Sequence, residues 1–306
     1  MIMALTGAAT AYGCSIARDV SMAELTSFRI GGPADMVITL PDVQAAAVIN
    51  GICEAEQLPR LWLGKGSNLL VSDDGFRGVV LRLGGGQVPQ RTDATHITCF
   101  AGVGLPALSR FAQTQGLTGL EFACGIPGSV GGAVLMNAGA YGGCIADVLE
   151  SVTVLRGDKA VELPATELAL GYRHSRLMET GEPVVAATFR LQEGDPSAID
   201  ARMTELLTAR REKQPLEYPS AGSFFKRPEG YFAGALVDQC GLKGYAVGDA
   251  EVSTKHAGFI INKGHATCAQ MQQLAQHVRR VVLRETGVLL MPEVRLIGET
   301  WWPVEE

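Results

Sequence analysis

Two glycine-rich segments of the chain have the composition of phosphate-binding loops. The longer one runs from Gly125 to Ala133 and continues through residues 136–142, and the shorter one runs from Leu63 to Val71. Glycine lets backbone N–H groups approach a ligand closely, and N–H groups clustered at a turn or helix start bind phosphate without a charged side chain. One such loop alone would indicate a surface turn. Two of them in one chain predict a long anionic ligand, most simply a dinucleotide.

Neither loop matches the common nucleotide-binding motifs. A Walker loop requires a glycine five residues before Gly64, but Pro59 occupies that position. The pair Gly64 and Gly66, like the pair Gly102 and Gly104, lacks the third glycine of G-x-G-x-x-G. The sequence therefore argues against a P-loop ATPase and against a Rossmann dehydrogenase.

Both loops resemble the flavin-binding segments of the bacterial UDP-N-acetylenolpyruvoylglucosamine reductase family, in the form that lacks an extra substrate-capping segment. Other motifs that resemble this family follow in the same order, and they are Thr26–Gly32, Gly171–Ser175, Ala221–Pro228 and Pro292–Arg295. The resemblance covers residues 20–300. It implies non-covalent FAD as cofactor, NADPH as co-substrate, and reduction of UDP-N-acetylglucosamine enolpyruvate to UDP-N-acetylmuramate.

The resemblance also implies which residues hold the flavin. In the first loop these are Gly64, Lys65, Gly66, Ser67 and Asn68. In the second loop they are Gly125, Ile126, Gly128, Ser129, Gly131, Gly132 and Ala133.

The implied reaction sets two chemical requirements. An alkene conjugated to a carboxylate accepts hydride at its β carbon only if the developing enolate is stabilised, and a proton must then reach the α carbon. The site therefore needs a cation or strong donor at the carboxylate and a positioned acid. The resemblance assigns Arg173 and Glu293 to the carboxylate end and Ser223 to proton donation.

Each of these three residues has a plainer interpretation if the resemblance is set aside. Arg173 would be a surface arginine beside His174, in a locally basic turn. Glu293 would be an edge-strand carboxylate balanced by Arg295, and Ser223 would be a turn residue.

Five further residues are candidates for binding the UDP diphosphate, with an ordinary solvated surface position as the alternative for each. They are Lys226, Arg227, Tyr231, Lys243 and Lys255. Arg227 stands where many members of the family have asparagine, so the nucleotide contact expected there departs from the family pattern.

Composition limits the partners and the compartment. The net charge of −6 over 306 residues argues against a nucleic acid or an anionic membrane as partner. Seven cysteines, an odd number without a C-x-x-C pair, predict thiols in a reducing cytoplasm and neither a disulfide framework nor a zinc site. The five histidines have no ligand spacing, so no metal is expected. A cytoplasmic monomer acting on a small nucleotide sugar is predicted.

Hydrophobic spacing and turn residues predict where the elements lie. Helices are expected after the N-cap Asp42, from Pro106 to Gly116, over residues 197–213, and over residues 267–286 before Gly287. Strands are expected at 61–63, 78–83, 96–103, 151–156, 160–163, 183–191, 258–262 and 293–297.

These elements describe an α+β chain. Gly194-Asp195-Pro196 predicts a boundary between an FAD-binding portion at 1–195 and a smaller α+β substrate lobe at 196–306. The resemblance implies that the FAD-binding portion is of the PCMH or vanillyl-alcohol-oxidase-like type, with subdomains at about 20–83 and 84–195.

Two other functions remain open at this stage. One is an oxidase on the same flavin-binding fold, which would lack the combination of Arg173, Ser223 and Glu293 and would react readily with oxygen. The other is a flavoprotein that binds a nucleotide sugar as a sensor, without turnover.

Overall fold

A computed structural model describes residues 2–84 and 86–303 of the chain. The α-helices within these residues are α1 (Ile2–Ala11), α2 (Val43–Ala55), α3 (Leu105–Thr114), α4 (Val130–Leu135), α5 (Leu177–Thr180), α6 (Pro196–Lys213), α7 (Ala233–Gln239) and α8 (Cys268–Thr286). None of these helices is both long enough and apolar enough to span a bilayer.

The strands lie between and after these helices, in several places as runs of consecutive strands. They are β1 (Ser15–Ser21), β2 (Pro33–Leu40), β3 (Arg60–Leu63), β4 (Leu69–Val71), β5 (Phe76–Leu83), β6 (Gln90–Arg91), β7 (His96–Phe100), β8 (Leu117–Thr118), β9 (Gly139–Ala140), β10 (Gly143–Cys144), β11 (Leu149–Arg156), β12 (Lys159–Pro164), β13 (Val184–Arg190), β14 (Gln192–Glu193), β15 (Ser220–Ser223), β16 (Ala246–Val247), β17 (Ala250–Val252), β18 (Phe259–Asn262) and β19 (Arg295–Ile297).

These strands form sheets of different sizes. The larger sheets have the orders β1-β2-β5-β3, β12-β11-β13-β7-β6 and β15-β18-β17-β16, and the smaller pairs are β9–β10, β8–β14 and β4–β19. The mixed helix and strand content confirms the α+β class.

The described residues form two compact units, each made of several chain segments. The first unit contains residues 2–18, 36–65 and 78–210, and the second contains residues 19–35, 66–77 and 211–303. This division differs from the single boundary predicted at residues 194–196. One reason is that Ile199, Met203 and Leu206 of α6 pack with Cys124 in an apolar cluster of the first unit.

The five-stranded antiparallel sheet carries the main core of the first unit. Phe189 of β13 and Val152 of β11 are almost fully buried and pack with Leu108 of α3 and Val130 of α4. Strands β11 and β12 form an antiparallel hairpin, and Gly157 adopts a φ of +62° in the turn between them. This sheet supports both α3 and α4.

The core of the second unit lies between α8 and a four-stranded antiparallel sheet. Leu274 and Val278 of α8 pack in one apolar cluster with Phe224, which follows β15. Phe224 also makes edge contacts with the rings of Phe28 and Trp301, at centroid distances of 6.2 and 5.6 Å. The chain on both sides of Phe224 is therefore fixed by a fully buried aromatic side chain.

Helix α2 begins, and helix α8 ends, at the capping residues that the sequence predicts. The Asp42 side chain accepts a hydrogen bond of 2.8 Å from the Ala45 N–H at the start of α2. Thr267 and Gln270 form a capping box at the start of α8, and Gly287 ends that helix with a φ of +71°. These predicted helix ends are confirmed.

All seven cysteines are free thiols. Burial raises the pKa of Cys53 to about 11 and that of Cys99 to about 12, so both are protonated at neutral pH. Cys124, directly before the second glycine loop, is buried, and its Sγ donates to the Met203 carbonyl oxygen over 3.7 Å. Cys124 thus packs against α6.

Candidate functional site

The first glycine loop connects β3 to β4. Within the described residues, the N–H groups of Gly64, Lys65, Gly66 and Ser67 donate to no backbone carbonyl. Gly66 has a φ of +62°, and a Cβ atom there would lie 2.1 Å from the Leu25 carbonyl oxygen. Only glycine fits this position without a backbone shift, and these N–H groups are candidate donors to a ligand.

The second glycine loop leads into the short helix α4, and its donors have internal partners. Ser129 caps α4, with its Oγ accepting from the Gly132 N–H over 3.3 Å. The Val130 N–H donates to the Val103 carbonyl, and the Gly131 N–H donates to the Ala101 carbonyl, both over 2.9 Å. The sequence predicts phosphate binding by such N–H groups. In the structure, the N–H groups of Val130 and Gly131 instead form hydrogen bonds to the segment that follows β7.

The two glycine loops approach each other within the first unit. A Cβ atom added to Gly64 would lie 2.2 Å from Ser129 Oγ, so the Ser129 side chain packs against the Gly64 backbone and leaves no space for a side chain at residue 64. Gly104 forms a β-bridge with Ser129, and Lys65 Cε lies 4.0 Å from where a Gly104 Cβ would be. A lysine and backbone donors therefore adjoin the capped start of α4, which fits the phosphate groups of FAD.

The start of the second loop is held by neighbouring elements. The Gly128 carbonyl accepts a hydrogen bond of 2.8 Å from the Leu105 N–H, and Ile126 packs partly buried against the first unit's core. A Cβ atom on Gly125 would lie 2.9 Å from Cδ of Arg210 in α6. Burial lowers the pKa of Arg210, a residue that sequence analysis missed because it lies far along the chain from the loop.

Arg173 lies in a tight turn of the first unit and adopts a φ of +54°. The turn is closed by two hydrogen bonds between Gly171 and His174, of 3.1 and 3.3 Å. The Arg173 guanidinium carbon lies 5.4 Å from the centroid of the Tyr172 ring. The Asn137 side chain donates to the Gly171 carbonyl over 2.9 Å. The sequence around Asn137 does not reveal this contact, because its partner lies 34 residues further along the chain.

Ser223 is exposed at the end of β15, where the strand is irregular. The pairing of β15 with β18 shifts register between Ser220 and Ser223, and Gly222 in this shift has a φ of +78°. Such a bulge re-aims the side chains beside it. Ser223 is therefore presented to solvent directly before the buried Phe224.

Glu293 lies beside the same segment of the second unit. Its N–H donates to the Phe224 carbonyl over 2.8 Å, and the Lys226 N–H donates to the Met291 carbonyl over the same distance. The Asn68 side chain, from the end of the first loop, donates to the Glu293 carbonyl over 3.1 Å. The structure thus brings the segments of Ser223, Lys226, Glu293 and Asn68 together, while Arg173 belongs to the first unit.

The candidate diphosphate ligands lie at the surface of the second unit. Lys243 Nζ pairs with an oxygen of Asp238 at 2.7 Å, and Lys255 Nζ donates to the Arg211 carbonyl over 2.8 Å. The Arg227 guanidinium lies 4.3 Å from the centroid of the Phe232 ring. Lys226 and Tyr231 are exposed. Their contact with a nucleotide stays a prediction.

Two family models match the chain. The model described as the FAD binding domain matches residues 34–161. The model described as the C-terminal domain of UDP-N-acetylenolpyruvoylglucosamine reductase matches residues 214–297. The first match includes both glycine loops, and the second includes Ser223 and Glu293.

Similar proteins carry the same description over nearly their whole length. A UDP-N-acetylenolpyruvoylglucosamine reductase of Lachnoclostridium phytofermentans is 51% identical over 279 residues, 90% of each chain. The reductase of Geobacillus thermodenitrificans is 47% identical over 93% of this chain and 94% of its own. The crystal structure of the reductase from Thermus caldophilus superposes with a TM-score of 0.81 at 36% identity, covering 93% of this chain and all of that one. The chain belongs to the UDP-N-acetylenolpyruvoylglucosamine reductase family.

Proposed function

We propose that this chain reduces the enolpyruvyl group of UDP-N-acetylglucosamine enolpyruvate with NADPH, giving UDP-N-acetylmuramate for peptidoglycan precursor synthesis. The observation that carries the proposal is the 51% identity to a reductase of that name across 90% of both chains. The cofactor is FAD, in keeping with the FAD-binding domain matched over residues 34–161. Bound FAD would supply the redox chemistry that carries a hydride from NADPH to the enolpyruvyl group.

The residues proposed to hold the flavin phosphates are those of the two adjoining glycine loops. Backbone N–H groups of Gly64 to Ser67 supply donors, and Lys65 supplies a positive charge. Within the first unit, Ser129 of the second loop packs against Gly64, so the second loop adjoins the first loop at that residue. Glycine at these positions keeps side chains from filling the space.

Three residues are proposed to act on the enolpyruvyl group itself. The Arg173 guanidinium donates two parallel hydrogen bonds to the substrate carboxylate. This pairing stabilises the negative charge that develops during reduction. Glu293 contacts the same end of the group. Ser223 then donates the proton that the α carbon needs. Because a serine hydroxyl is a feeble acid, this step requires a strongly basic acceptor and an assisting neighbour, for which Lys226 is the candidate.

The proposed setting is the cytoplasm, with the chain acting as a monomer on a nucleotide sugar. Seven free thiols support a reducing compartment, where disulfides do not persist. The net charge of −6 supports a partner that is neither nucleic acid nor an anionic membrane.

Absorbance of the purified protein tests the reaction. Under anaerobic conditions we expect NADPH to bleach the yellow flavin and the enolpyruvyl sugar to restore the colour. Colour restored only by oxygen would indicate an oxidase. Bleaching by NADPH without recovery on adding the sugar would indicate a sensor that does not turn over.

Steady-state kinetics test how the two substrates use the protein. The sequence has no second dinucleotide-binding motif beyond the flavin loops, so we expect NADPH and the sugar to occupy one site in turn. Double-reciprocal plots at several fixed concentrations of the second substrate should then be parallel, as in a ping-pong mechanism. Intersecting lines would mean that both substrates bind together and would contradict a shared site.

A further inference from the structure

The turn that carries Arg173 is fastened on both sides to the chain around the end of α4. Before Arg173, the Asn137 side-chain amide donates to the Gly171 carbonyl over 2.9 Å. After it, the Ser175 hydroxyl, which is fully buried, donates to the Leu135 carbonyl over 2.7 Å. Both anchors belong to the first unit. The three residues between Gly171 and Ser175, of which Arg173 is the middle one, are therefore held at both ends.

Asn137 is itself held rigidly. It is 7% exposed and adopts a φ of +41°, a conformation that asparagine tolerates better than most residues. Its Oδ1 accepts from the Ala146 N–H over 2.9 Å while its Nδ2 donates to Gly171. Because both ends of the amide are bonded, the side chain cannot rotate without breaking a buried hydrogen bond.

Arg173 needs such support because its own backbone is strained. A non-glycine residue with a φ of +54° persists only where the surrounding structure fixes it. The Asn137 amide donates to the carbonyl of Gly171, which lies two residues before Arg173. Gly171 is also one of the two residues whose hydrogen bonds close the turn. Loss of this bond would let the turn relax and would move the guanidinium.

We propose that Asn137 is a positioning residue, whose side-chain amide sets the place of the Arg173 guanidinium for the carboxylate of the enolpyruvyl substrate. The inference rests on the proposed role of Arg173. A misplacement of about 1 Å can cost on the order of 10²-fold in rate, so one hydrogen bond to the turn can have a large effect on the reaction.

The sharpest variant is Asn137→Asp. The ionised aspartate keeps an acceptor for the Ala146 N–H but has no donor for the Gly171 carbonyl, so it removes one bond of the two. We expect calorimetric binding of the enolpyruvyl sugar to the oxidised protein to weaken about 10- to 100-fold. Reoxidation by the sugar should slow to a similar degree. Flavin content and bleaching by NADPH should not change. Asn137→Gly, which suits a positive φ and lacks the amide, should give the same pattern.

The matched control is Asn50→Asp. Asn50 is also buried in the first unit, and its Nδ2 donates to the Gly157 carbonyl over 2.7 Å in a turn that carries no proposed site residue. The same chemical change there should lower the melting temperature without weakening sugar binding. If Asn50→Asp weakens sugar binding as much as Asn137→Asp does, the effect is general destabilisation and the inference is overturned.

A double-mutant cycle separates the inference from the proposed function. In an Arg173→Ala background, Asn137→Asp should change sugar binding less than about twofold, because the group it positions is gone. An equal loss of sugar binding in the wild-type and Arg173→Ala backgrounds would overturn the positioning role of Asn137. Loss of flavin from Asn137→Asp and Asn137→Gly would overturn it as well. Neither result would contradict the proposed role of Arg173. An Arg173→Ala variant with normal sugar binding and reoxidation would instead remove Arg173 from the site, and the inference with it.

Discussion

Ser223→Ala should slow reoxidation of the reduced protein by the enolpyruvyl sugar by at least about 10²–10⁴-fold, the usual cost of losing a general acid. Bleaching by NADPH should stay near normal, because hydride transfer to the flavin requires no protein acid. The fold should tolerate the change, since Ser223 is exposed and the neighbouring Phe224 anchors the strand end. Arg173 and Glu293 remain in the variant, so protonation by solvent should leave a small residual rate.

Anaerobic stopped-flow absorbance measures the two half-reactions of this variant separately. Ser220→Ala is the matched control, because it removes the same hydroxyl from the other end of β15. It should leave both rates unchanged. An equal loss in both half-reactions of Ser223→Ala would mean that Ser223 supports folding or flavin placement. Normal rates in both would exclude it from the mechanism.

Gly66→Val should yield protein without flavin. The Cβ atom would lie 2.1 Å from the Leu25 carbonyl oxygen and 2.9 Å from Thr26 Cα, both backbone atoms, so the loop must move. A β-branched residue at a φ of +62° adds strain of roughly 1–2 kcal/mol. The first loop would then lose the arrangement of its N–H donors. We expect flavin content, measured by absorbance after purification, to fall below about a tenth of stoichiometric.

Gly181→Val is the matched control for this prediction. Gly181 has a φ of +71° but open space around its Cα, so valine there carries the strain without the collision. That variant should keep its flavin.

Gly131→Val should also lose flavin, because a Cβ atom would lie 3.0 Å from Ala101 Cβ and would push the second loop away from its support. Full flavin content in both Gly66→Val and Gly131→Val would show that the loops are only turns.

Sequence patterns predicted local structure well where a few neighbouring residues decide it. Asp42 caps α2 and Gly287 ends α8 as expected, and β11 and β12 cover the strands predicted at 151–156 and 160–163. The two glycine loops were also identified from composition alone, and they do adjoin, through Gly64 and Ser129. Each of these features depends on residues whose conformational preferences are intrinsic.

Features that depend on distant partners could not be predicted. The Gly131 N–H is occupied by the Ala101 carbonyl, which no pattern in the second loop reveals. Asn137 bonds a carbonyl 34 residues further along the chain, and its importance appears only when the turn of Arg173 is seen. Residues 196–210 of α6 likewise belong to the first unit because Met203 packs beside Cys124, which the glycine and proline before the helix do not reveal.

The discontinuous make-up of the second unit has a consequence for synthesis on the ribosome. Phe28, Ile30 and Leu70 belong to the same apolar core as Leu274 and Val278, more than 200 residues later. A chain emerging from its N-terminus exposes these early side chains long before their partners exist, so this core closes only after α8 is made. A fragment starting at residue 211 would lack the early segments and leave its own core incomplete. Such a fragment should aggregate when expressed alone, unless residues 19–35 and 66–77 are supplied in the same polypeptide.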